Sequence, residues 1–187
     1  MHWLGCTLVF FTLCALTFQQ QDDDDFEERA LPIPPSDLDL IMLVRLENSA
    51  KTDWFYTTNL TQLTRKVQEE NFGNYTFLGT VIPSPTPRCR PSSPLFQLFH
   101  PRNTDHILIK NPVTVSKLAR EGWQNGGIVG HCVPKLGQCG ATRPLHELVQ
   151  KPPVGHVYVT DEEEKNEFLK AKKTWNYVRI VCYVWDP

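Results

Sequence analysis

Short runs dense in apolar, β-branched and aromatic residues recur three times along this chain, about 50 residues apart. Leu43-Val44-Arg45-Leu46 matches Leu95-Phe96-Gln97-Leu98 at an offset of 52, and Leu145-His146-Glu147-Leu148 at a further 50. The same offsets carry residues 53–58 (DWFYTT) onto 105–110 (DHILIK) and 155–160 (GHVYVT). Each pair of runs reads as two strands joined by a polar turn, such as the HPRNT of 100–104. A helix is expected next in every repeat, because Asn59, Asn111 and Asp161 align at one position and all are strong N-cap types. Pro112 occupies the first helical position after its cap, and Glu164 stands at the capping-box spacing from Asp161. The pattern predicts helices over 62–70, 113–120 and 162–172, and hydrophobic closing strands over 75–82, 127–133 and 177–184.

Three units of this kind must share a core, since none can bury its apolar face alone. The expectation is a mainly β domain with short helices, in three repeats spanning about 38–88, 89–138 and 139–187. A closed, β-trefoil-like arrangement satisfies the pattern and removes free sheet edges, with a small propeller-like array as the alternative. First and last strands of a repeat would then lie side by side.

The amino-terminal residues bear on compartment. Residues 4–18 form an uncharged apolar run of fifteen, the length of a signal-peptide core and short for a membrane span, so residues 1–18 are read as a signal peptide. Residues 19–37 begin with glutamines and four consecutive Asp and end rich in Pro, the composition of a solvated leader. Setting aside Asp22–Asp25, Glu27, Glu28 and Arg29 leaves 18 bases against 15 acids, a net +3 that argues against a nucleic-acid partner. The expected product is a secreted, extracellular monomer without a membrane contact. Asn59-Leu-Thr61 and Asn74-Tyr-Thr76 are glycosylation acceptors, in a eukaryotic source.

Cys6 and Cys14 fall in the signal region, leaving Cys89, Cys132, Cys139 and Cys182 for disulfides. Cys89 and Cys139 each stand six residues before a first-strand Leu, and both pairs Cys89/Cys132 and Cys139/Cys182 are separated by 43. That spacing predicts the bridges Cys89–Cys132 and Cys139–Cys182, each tying the start of a repeat to its own closing strand. Repeat one carries Asp37 and Val81 at the two positions. Cys132–Cys139 with Cys89–Cys182 is the alternative.

Pro94, Leu95, Leu98, Asp105 and His106 in repeat two carry a resemblance to a known family. In repeat one the matching residues are Asp53, Phe55, Tyr56, Thr57 and Thr58, and in repeat three Pro144, Leu145, Leu148 and His156. With these, the chain from about residue 40 onward resembles the secreted tandem-repeat family called Domain of Unknown Function 5648. It departs from the family pattern at Trp54, Gly155 and 107–110 (ILIK). Members often stand beside hydrolase domains, so the resemblance implies a binding accessory.

Candidate chemistry is sparse. His100, His106, His131, His146 and His156 fit no metal-ligand spacing, and there is no nucleophile motif or phosphate-cradling loop. Neither catalysis, a metal nor a cofactor is expected. Asp53-Trp54, Asp105-His106 and Gly155-His156 recur at the turn-to-strand junction, and a carboxylate beside a ring is what sugar recognition uses. Asp53, Trp54, Arg102, Asn103, Asp105, His106 and His156 are therefore the candidate ligand-binding residues. The expected function is carbohydrate or cell-wall glycan binding. An extracellular protein-interaction or inhibitor role, using loops such as 83–91 or 151–154, is the alternative, and a hydrolase a distant third.

Overall fold

Each repeat folds as two antiparallel strands, a helix and a closing strand. A computed structural model describes residues 38–151, 154–171 and 174–186, so the signal and leader segments and part of the 151–154 loop lie outside the described residues. Repeat one contains β1 (Ile41–Asn48), β2 (Asp53–Thr57), α1 (Leu60–Glu69) and β3 (Gly73–Val81). Repeat two contains β4 (Ser93–His100), β5 (Asp105–Ile109), α2 (Pro112–Arg120) and β6 (Gln124–Cys132). Repeat three contains β7 (Arg143–Gln150), β8 (Gly155–Val159), α3 (Glu162–Lys170) and β9 (Trp175–Val184). The protein is mainly β, in three antiparallel three-stranded sheets ordered β2-β1-β3, β5-β4-β6 and β8-β7-β9. In each, the first strand lies between the second and the closing strand, as expected.

The caps explain where the helices begin. The Asn59 side-chain carbonyl accepts from the N–H groups of Thr61 and Gln62 at 2.8 and 3.1 Å. Asn111 accepts from Val113 at 2.8 Å, and Asp161 from Glu164 at 2.8 Å. The Glu164 side chain leaves its own helix end and pairs with Arg45 instead.

Equivalent positions from all three repeats meet in one core. Leu43, Leu95 and Leu145 are fully buried there, with Tyr56, Leu108 and Tyr158 and with Leu78, Val129 and Val181. Closing strands also meet one another through paired backbone hydrogen bonds. Ile82 pairs with His131, Val133 with Tyr183, and Trp185 with Thr80, so the three sheets are joined in a cycle.

The cysteines pair otherwise than their spacing suggests. The bridges are Cys89–Cys139 and Cys132–Cys182, each joining two repeats, with Cα separations of 5.8 and 6.0 Å. The predicted Cys89–Cys132 and Cys139–Cys182 are not formed, and neither is the alternative set. Register is the reason. Cys132 lies opposite Ser93, whose counterpart Arg143 lies opposite Val184, while Cys182 lies opposite Leu145. Cys182 is thus two residues away from the structural equivalent of Cys132, and the shared spacing of 43 is coincidental.

The true equivalents show why Cys132 and Cys182 face each other. Val81, Cys132 and Val184 share one position, and Gly79, Gly130 and Cys182 another. A Cβ on Gly130 would lie 2.9 Å from the Val81 Cβ, and one on Gly79 would lie 2.9 Å from Val184 Cγ2. Two of the three contacts between closing strands are therefore valine on glycine, and the third is the disulfide.

Candidate functional site

The recurrent acids and rings pair across repeats, not within them. Asp53 and Asp105 are 1% and 0% exposed. Asp53 Oδ1 lies 2.8 Å from Nδ1 of His106, in the next repeat. Asp105 Oδ2 lies 2.7 Å from Nδ1 of His156, and its Oδ1 accepts the His156 backbone N–H at 2.9 Å. The third such junction has Gly155 where the acid would be and Trp54 where the histidine would be. A Cβ on Gly155 would stand 3.3 Å from the Thr52 carbonyl oxygen and 3.7 Å from Trp54 Cζ3. The two departures from the family pattern thus sit against each other.

This arrangement removes the acid-beside-ring sites inferred within single repeats. Trp54 is 5% exposed and meets Phe168 and Trp175 edge to face, with centroids at 6.2 and 5.4 Å, so it offers no open face. Arg102 and Asn103 are exposed in the β4–β5 turn, where the Asn103 N–H reaches His100 Nδ1 at 3.3 Å. Arg102 lines a crevice of about 440 Å³ with His100, Arg120 and Glu121, a different depression from the one His106 lines. The acceptor residues Asn59 and Asn74 are exposed, Asn59 capping α1 and Asn74 in the left-handed region at φ 42°. Among the described residues, no group of three or more His, Cys, Asp or Glu is placed to hold a metal.

The three seams between successive repeats differ in what fills them. At two of them a helix residue meets a buried polar residue of the next repeat's first strand: Gln62 lines a cleft with Gln97, and Glu164 pairs with Arg45. Glu147 is the buried polar residue at the same strand position in repeat three. From repeat three to repeat one, Glu164 pairs with Arg45, which also donates to the Tyr158 carbonyl and to Thr76 Oγ1, both at 3.0 Å. The Trp54–Phe168–Trp175 cluster packs the same seam. From repeat two to repeat three, the Tyr158 hydroxyl accepts the Leu108 N–H at 3.0 Å and donates to Glu147 at 3.1 Å, and within repeat three Glu147 also accepts from Arg179 Nε at 2.7 Å. Burial pushes the Tyr56 and Tyr158 hydroxyls above the ordinary phenol range, so both stay neutral donors.

From repeat one to repeat two the seam is open. Gln97 Oε1 accepts the Tyr56 N–H at 2.7 Å, and Gln62 Oε1 turns back to the Thr57 hydroxyl at 2.8 Å. A cleft of about 280 Å³ remains. Phe55, Gln62, Arg65 and Lys66 line it from repeat one, and Gln97, Phe99, His106, Gln124 and Gly126 from repeat two. A side chain at Gly126 would meet the Gln97 carbonyl oxygen at 3.2 Å and its Nε2 at 3.7 Å, so glycine keeps this wall low. His106 stacks on Phe99, with centroids 4.5 Å apart and planes at 30°. With Nδ1 held by Asp53, Nε2 is the nitrogen His106 has for a ligand. Of these residues only His106 stood out in the sequence. The signal for Gln97 was a polar residue at a position where the repeats place Arg, Gln and Glu on the core side of a strand.

A family model described as domain of unknown function (DUF5648) matches residues 34–185. The chain belongs to this family. The match takes in all three repeats, so the clasped junctions, the cycle of closing strands and the open seam all lie within the DUF5648 region. No curated protein and no solved structure matches the chain.

Proposed function

We propose that this DUF5648 chain is a secreted, non-catalytic carbohydrate-binding module of β-trefoil-like architecture, with its sugar seated between repeats one and two. The trefoil reading rests on three equivalent sheets joined by three equivalent pairings of closing strands. Two disulfides, and the lack among the described residues of a helix long and apolar enough to cross a membrane, are compatible with an extracellular setting.

The observation that carries the function is the open seam. Side-chain amides of Gln62, Gln97 and Gln124 can donate to and accept from hydroxyls, and Phe99 supplies apolar surface for ring C–H groups. At about 280 Å³ the cleft is just below the roughly 300–1,000 Å³ of drug-sized pockets, which suits one sugar ring. No lining residue carries a hydroxyl or thiol that the His106–Asp53 pair could activate, which favours binding over hydrolysis.

The test is a screen of the oxidised chain from residue 19 on a glycan array and on insoluble wall polysaccharides. Gln62 is exposed, so Gln62→Trp fills the cleft with little expected cost to folding, and it should abolish any hit. Gln124→Ala should weaken it. A hit indifferent to Gln62→Trp would remove the seam as the site. A blank from folded protein would overturn the sugar reading and turn the search to protein partners.

A further inference from the structure

We infer that the sugar taken by this seam carries a carboxylate, as in a hexuronate or a sialate; this deepens, and rests on, the carbohydrate reading. The charged groups lining the cleft are the argument. Arg65 and Lys66 both line it, and no acidic side chain does. Their counterparts in the other repeats are Lys117 and Leu118, and Glu167 and Phe168, so a pair of cations at this helix position is particular to repeat one.

The two cations play different parts. Lys66 Nζ is held by Glu70 Oε2 at 2.6 Å and lies 4.5 Å over the Phe55 ring, so its charge is compensated and its stem forms wall. Arg65 is exposed and makes no ion pair among the described residues. Its guanidinium is the free charge at the rim, and its planar fork matches a carboxylate in two parallel hydrogen bonds. Asp53 is buried and does not line the cleft; its Oδ1 lies on His106 Nδ1. A carboxylate at Arg65 would place the sugar ring toward Phe99, with hydroxyls facing Gln97 Nε2, Gln124 and His106 Nε2.

Titration calorimetry of the oxidised chain at physiological salt tests this with two pairs of probes. One pair is tetragalacturonate and its methyl ester, the other 3′-sialyllactose and lactose, so the two sources of the carboxylate are separated. In at least one pair the acid should bind about tenfold more tightly than its neutral partner. Arg65→Gln should erase that difference, and Gln62→Trp should abolish binding of both members of the pair. Equal affinity within both pairs, or a preference that survives Arg65→Gln, would overturn the anionic ligand and leave the sugar reading standing. Failure of all four probes, with an array hit on other neutral glycans lost in Gln62→Trp, would do the same. Failure of every sugar would sink both.

Discussion

The seam from repeat three to repeat one and the seam from repeat one to repeat two are built from the same positions and end as opposites. In the first, Glu164 reaches Arg45 and Trp54 wedges between Phe168 and Trp175. In the second, Gln62 turns back to Thr57 in its own repeat, Gln97 accepts the Tyr56 N–H across the seam, and His106 is clasped by Asp53. Opposite charges and one large ring make a wall; amides and a tethered imidazole leave a cleft. A repeat fold can thus leave one junction open while another is filled. The largest expected effect tests that division. Trp54→Ala should cost about 3–5 kcal/mol in urea unfolding with the disulfides intact, while Gln62→Ala should stay within about 0.5 kcal/mol. A Trp54→Ala cost below about 1 kcal/mol would show that the wall does not depend on this ring.

The closing strands extend the comparison to another part of the same seams. Val184 sits on Gly79 and Val81 on Gly130, where Cys132 and Cys182 form a bridge closing about 50 residues. Such a loop is worth about 4 kcal/mol in the chain-entropy model. Replacing both cysteines by serine loses the bridge and buries two hydroxyls. Cys132→Val with Cys182→Gly also loses the bridge but recreates the valine-on-glycine contact of the other two seams. The Val/Gly protein should therefore be more stable than the Ser/Ser protein by about 1–2 kcal/mol, read from urea midpoints. Equal midpoints would mean that the three contacts are not interchangeable.

What the sequence made legible follows from what is local. Strand alternation, the caps Asn59, Asn111 and Asp161, and the pairing of first with last strands were all readable, because each depends on residues within one repeat. The disulfides were not, because the closing strands shift register against their first strands and a gapless offset hides that. The candidate site failed for a related reason. Asp53 and His106 are 53 residues apart, and nothing in either repeat says that the acid of one clasps the ring of the next. Arg45, Gln97 and Glu147 entered the sequence reading only as parts of the repeat match, yet all three are buried.

The compensated pair of departures gives a subtler test. Trp54→His alone leaves a histidine without its acid, and Gly155→Asp alone crowds the Thr52 carbonyl and the indole. Together they would rebuild the Asp–His clasp of the other two seams. The double variant should be more stable than the sum of its singles predicts, by about 1 kcal/mol or more in a double-mutant cycle. Additivity would mean that Trp54 and Gly155 are not energetically linked.

The smallest effect expected concerns acid. His131, which pairs with Ile82 across the open seam, is 6% exposed, and burial holds its pKa below the ordinary value, against backbone contacts that raise it. His146 is lowered by burial as well, with Lys165 adding to the effect and Glu162 opposing it. A histidine with a depressed folded pKa binds fewer protons folded than unfolded. Its contribution to stability is therefore complete above the unfolded value of about 6.5 and is lost as pH falls below it. Urea midpoints should decline between pH 7 and pH 5, by no more than about 1.4 kcal/mol per pH unit for each histidine. The counterpart of His131 in repeat one is Thr80, so His131→Thr puts a non-titrating residue that the fold already uses into the open seam. It should flatten part of the decline, and an unchanged slope would mean that protonation of His131 does not strain this seam.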